Sequence, residues 1–111
     1  MSSPADVQIV FCTAPDPETG QRIADHLVEY RLAACVNMLP GVKSVYRWKG
    51  ELCTDSEILL MIKSGTADYA SLEAAIRELH PYELPEIIAV PLSNGLPKYL
   101  EWVCNIKNEA E

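Results

Sequence analysis

The side chains best suited to holding a soft metal ion, or to acting as nucleophile and base, are few: Cys12, Cys35, Cys53, Cys104, His26 and His80. No two cysteines form a Cys-x-x-Cys pair, which argues against a zinc ribbon or a thioredoxin-type site. His26 lies beside Asp25 and Glu29 and reads as a solvated helix residue. His80 is more informative. It directly precedes Pro81-Tyr82-Glu83-Leu84-Pro85-Glu86, at a helix end where an imidazolium is favoured. Cys12 falls at the end of an apolar strand and, like most free cysteines, also reads as a small core residue. If the two meet, a thiolate and an imidazole suit copper or zinc. They fall short of the tetrahedral set of a closed structural zinc site, so the expectation is a weak or shared site.

The elements that would position these residues follow from pattern. Residues 7–14 are apolar and β-branched and predict a strand. Asp16 caps and Pro17 opens a helix expected to run to about Arg31, with Ile23, Leu27 and Tyr30 on its core face. Residues 34–48 predict a second strand with a bulge at Pro40-Gly41, and Lys49-Gly50 a tight turn into a third strand over residues 51–63. A second helix opens at Gly65-Thr66, carries Leu72, Ile76 and Leu79, and stops at Pro81. Residues 86–92 predict the fourth strand, and Pro97 starts a last helix with Leu100, Val103 and Cys104. The order βαββαβ is that of the ferredoxin-like α+β sandwich, here one domain over residues 1–111 with an extra C-terminal helix. Prolines are confined to edge strands, and only the second and fourth strands contain one, which gives the sheet order 4-1-3-2.

Two helices cover one face of such a sheet, and the other face should alternate to polar residues. It does not: Val7, Ile9 and Phe11 oppose Val10 and Cys12, and Leu59 and Met61 oppose Ile58, Leu60 and Ile62. A second apolar face exceeds what a soluble monomer usually exposes, so the expected cover is another copy of the chain. The hairpin arms exceed the modal strand of about 5–6 residues, and their projecting edges favour strand addition between subunits. Sixteen acidic against nine basic residues give a formal charge of −7, which repels nucleic acid and anionic lipid and tolerates cations. No apolar run reaches the ~20 residues of a membrane span, and the first residues lack a signal-peptide pattern, so a cytoplasmic location with reduced thiols is expected.

Cys12-Thr-Ala-Pro15, Leu32-Ala-Ala-Cys-Val-Asn37, Tyr46-Arg-Trp-Lys-Gly50, His80-Pro-Tyr82 with Pro85-Glu86, and Tyr99-Leu-Glu-Trp102 occur in order. As a set they resemble the CutA divalent-cation tolerance proteins. The resemblance implies a homotrimer similar in architecture to PII signalling proteins, and a role in tolerance of copper and other divalent cations. Carried over residue by residue, it points to Cys12 and His80 as metal ligands. Where copper-binding members have a second histidine this chain has Leu79, which removes a ligand. It also points to a cleft between subunits lined by Trp48, Glu57, Lys63, Tyr82 and Glu86.

Three functions compete on these grounds. The first is a cytoplasmic homotrimer that binds copper or another divalent cation weakly through Cys12 and His80. The second is a PII-like sensor of a small molecule at the subunit clefts, with the projecting hairpin contacting an effector. The third, an enzyme using Cys12 as nucleophile and His80 as base, ranks last because no orienting third residue or oxyanion motif accompanies the pair.

Overall fold

β1 (Val7–Ala14) is mostly apolar, with Gln8 and Thr13 as its polar members, and becomes a central strand, paired antiparallel on both sides. The computed structural model describes residues 2–108, so Met1 and residues 109–111 of the expected domain lie outside the described residues. The Asp16 carboxylate accepts the Thr19 N–H at 2.7 Å and Pro17 fills the first turn, which starts α1 (Pro17–Glu29). This helix ends short of the expected Arg31. Arg31 adopts a left-handed φ of 59°, and the Leu32 and Ala33 N–H groups both return to the Leu27 carbonyl. Tyr30 is thereby carried off the helix end. It is not on the core face with Ile23 and Leu27 but 64% exposed, its ring 4.5 Å from that of His26.

β2 (Cys35–Trp48) and β3 (Glu51–Gly65) form the long hairpin. Lys49 and Gly50 both have positive φ, 49° and 83°, the backbone that a two-residue turn needs to match the strand twist. The register shifts between Leu39 and Val42, where Gly41 takes φ 74°, so the bulge sits at Pro40-Gly41. β3 continues to Gly65 because Val7 pairs with it, two residues beyond the expected end. A 3-10 turn (Thr66–Asp68) follows, and α2 (Tyr69–Leu79) begins one turn later than Gly65-Thr66 suggested. β4 (Ile87–Pro91) is one residue shorter at each end than expected, and α3 (Pro97–Cys104) is followed by a 3-10 turn over Ile106–Asn108. The sheet order is β2-β3-β1-β4, with the proline-containing strands at the edges.

Val10, Cys12 and Ala14 of β1 and Ile58, Leu60 and Ile62 of β3 point toward α1 and α2, where they meet Ile23, Leu27, Leu72 and Ile76. Each large member of this core adds about 1.5–3 kcal/mol. On the opposite face α3 covers only one end, packing Leu100 and Val103 on Val7 and Ala34. Beyond it Ile9 lies between Lys63 and Val90, and Phe11 between Met61 and Ile88. Ile88 and Val90 remain 54% and 43% exposed. β1 pairing ends at Ala14 opposite Ile58, so from Val42 and Glu57 outward the hairpin arms pair only with each other. At ~3.3 Å per residue that two-stranded arm projects roughly 20 Å.

Candidate functional site

The base of the projecting hairpin, the end of β1 and the loop between α2 and β4 converge on one place. α2 terminates at His80, whose backbone N–H still reaches the Ile76 carbonyl while its own ψ of 132° turns the chain into the loop. The His80 ring is buried and placed between two backbone groups. Tyr82 N–H donates to Nδ1 at 3.1 Å, so Nδ1 holds the lone pair, and Nε2 donates to the Thr13 carbonyl at 2.7 Å. The Tyr82 ring packs 4.7 Å from the imidazole, and its hydroxyl donates to Glu57 Oε2 at 2.7 Å. Strand end, histidine, tyrosine and hairpin base thus form one continuous chain of contacts.

This chain of contacts backs an open cleft of about 600 Å³. Ser44, Tyr46 and Trp48 line it from β2, Glu57 from β3, Thr13 from β1, and Tyr82, Glu83, Leu84 and Glu86 from the loop. Of the expected cleft residues, Trp48, Glu57, Tyr82 and Glu86 therefore stand together in a single chain. Lys63 stands apart. It lies on the open sheet face opposite Ile9 and Cys35, six positions along β3 from Glu57 and so roughly 20 Å away.

Cys12 and His80 do reach the same rim, since Thr13, next to Cys12, accepts the histidine's hydrogen bond. Each has other engagements. The Cys12 side chain points into the helix-covered core and is fully buried. Its thiol is pushed up to about 12, first by burial and then by the negative charges of Glu86 and Glu57. A protonated thiol is a poor nucleophile and a poor ligand. Among the described residues no group of three or more His, Cys, Asp or Glu side chains could hold a metal ion. The donor set of one chain therefore does not fit a closed divalent-cation site.

Tyr46, Ser44, Glu83 and Leu84 were not singled out from the sequence. A signal for the first two existed: the turn at Lys49-Gly50 pairs Trp48 with Glu51, and strand alternation then puts Tyr46 and Ser44 on the side of Trp48. Tyr46 donates its hydroxyl to Asp55, a bond that raises the phenol to about 12. The Tyr82 phenol is raised further, by burial first and by Glu57 second.

An antiparallel βαββαβ sandwich with an overlong hairpin hanging over a cleft defines a small PII-like α+β protein. The chain superposes on the PII-like protein CutA from Nostoc sp. PCC 7120 in apo form with a TM-score of 0.84 at 44% identity, covering 89% of this chain and 95% of that one. The chain belongs to the CutA1 divalent ion tolerance protein family, whose model matches residues 8–105. It is 46% identical to the divalent-cation tolerance protein CutA of Thermus thermophilus over 86% of this chain and 93% of the relative. It is 45% identical to protein CutA of Mus musculus over 90% of this chain, spanning 56% of that longer protein.

Proposed function

We propose that the protein serves divalent-cation tolerance as a cytoplasmic homotrimer that works as a PII-like binding protein, taking a small ligand into the cleft between hairpin and loop. The observation that carries this reading is the cleft itself. Its size is that of a small-molecule site, about 300–1,000 Å³, and it combines aromatic walls with a few polar groups. The hairpin that forms one wall is anchored only at its base, so occupancy of the cleft has a lever through which to change the hairpin's position. The apolar strip over Ile9, Phe11, Ile88 and Val90 supports assembly, because a second copy would remove it from water.

Weak binding of copper or another divalent cation through Cys12 and His80 is the second reading, favoured by their shared rim. It requires His80 to release Thr13 or Tyr82, and the Cys12 thiol to leave the core and lose its proton.

Growth of cells lacking the gene, on elevated divalent cations, separates the two. Complementation by Cys12→Ala together with failure by Trp48→Ala is the expected result. Full complementation by Trp48→Ala and Glu86→Gln would remove the cleft from the function.

A further inference from the structure

We infer that the outward face of the projecting hairpin is a docking surface for an extended, acidic segment of a partner protein, whatever the cleft holds. The two faces of the arm differ in charge. Cross-strand pairing puts Lys43 opposite Ser56, Val45 opposite Thr54 and Arg47 opposite Leu52, and strand alternation sets all of these side chains on one face. That face carries two cations and no acid. The other carries Glu51, Asp55 and Glu57 beside Ser44, Tyr46 and Trp48. Lys43 and Arg47 are exposed, and among the described residues neither side chain has an ion pair or hydrogen bond. Val45 and Leu52, beside them, are 63% and 76% exposed. Val45 also borders the cleft, and the other members of the face do not.

The proposed assembly leaves this face open. The extra residue of the bulge belongs to β2, so alternation along β3 is unbroken, and Leu52, Thr54 and Ser56 continue the side of Ile58, Leu60 and Ile62. That is the side covered by α1 and α2, whereas copies meet over the opposite side, at Ile9, Phe11, Ile88 and Val90, and along strand edges. Charge and spacing then name the partner. Lys43, Val45 and Arg47 follow one another at the two-residue period of a strand face, which matches an extended segment with an apolar residue between two acids. Arg47 stands roughly 17 Å from the base of the arm, about two Debye lengths of about 8 Å, so the acids of the body hardly reach it. A narrow acidic segment can therefore settle on the arm. Nucleic acid or an anionic bilayer is broader, also meets a body of net charge −7, and is repelled.

The test uses the full chain and a fluorescein-labelled peptide repeating glutamate, threonine, valine and threonine, followed by fluorescence anisotropy. Saturable binding that weakens with added salt is expected. Lys43→Glu combined with Arg47→Glu should lose it at least tenfold and should bind the same peptide with lysine in place of glutamate, a reversal that unfolding cannot produce. Leu52→Ser, which keeps every charge, should weaken binding severalfold. No saturable binding by wild type, equal binding of the lysine peptide by wild type, or unchanged affinity in both variants would overturn the inference. Tighter binding of a single-stranded oligonucleotide or of phosphatidylserine vesicles than of the acidic peptide would overturn it in favour of a polyanion. A folded charge-reversed variant that no longer sediments as wild type would overturn it by showing that copies meet on this face. The growth assay with Trp48→Ala and Glu86→Gln is independent of all these outcomes, so the cleft stands or falls separately.

Discussion

The Tyr82 hydroxyl donates to Glu57 Oε2 at 2.7 Å, and this bond fastens the loop after α2 to the base of the hairpin. Twenty-five residues separate the two in sequence, so the contact ties the second half of the fold to the projecting arm. Tyr82→Phe leaves a nearly buried carboxylate without its donor. The expected cost is about 1–3 kcal/mol, read as a lowered urea midpoint. Tyr46→Phe, whose Asp55 partner is exposed, should leave the midpoint where it is. Equal midpoints for wild type and Tyr82→Phe would show that the loop is held elsewhere.

Alkaline stability should depend on Cys12. Its folded thiol is raised from 9.0 to about 12, so the folded chain keeps a proton that the unfolded chain loses first. The associated stabilisation is complete below pH 9 and disappears as pH climbs through about 12. Denaturant melts between pH 8 and 11 should therefore fall less steeply for Cys12→Ala than for wild type. Parallel pH profiles for the two would contradict the buried placement of the thiol.

Self-association should hinge on the strip that α3 leaves uncovered. Wild type is expected to sediment at three times the chain mass, and Val90→Asp, which puts a charge beside Ile9, to shift the species toward the single chain. A wild-type chain that stayed single at micromolar concentration would remove the trimer from the proposal.

Copper titration distinguishes the two readings of the rim. With the Cys12 thiol in the core and both His80 nitrogens engaged, Cys12→Ala should bind copper(II) as wild type does. A tenfold loss of affinity in Cys12→Ala would assign the ion to the Cys12 and His80 pair.

Most of the architecture is legible in local chemistry. Asp16-Pro17, Pro40-Gly41 and Lys49-Gly50 act through their own backbone preferences, and each does in the fold what its residue types dictate. The misread positions are those where a neighbour in space decides. Tyr30 fits the helical spacing of Ile23 and Leu27, but the left-handed Arg31 ends the helix beneath it. β3 outruns its apolar pattern because Val7 offers a partner to Gly65. Lys63 is a separate case: it lies at the other end of β3 from Glu57 within one chain, while the cleft expected to hold it lies between subunits.

Strand order, the edge placement of Pro40 and Pro91, the doubled apolar face and the overlong hairpin were determined by the chain's own residue pattern, because side-chain alternation and proline's missing donor act without reference to distant segments. What belongs to the tertiary structure alone is the use of Cys12, His80, Tyr82 and Glu57. Their side chains are versatile, and only packing decided that the thiol faces the core, that the imidazole joins two backbone groups, and that the tyrosine and the glutamate meet across a cleft. Burial and hydrogen-bond partners set the chemistry of such groups, and both are properties of what the fold brings near, not of the residue type.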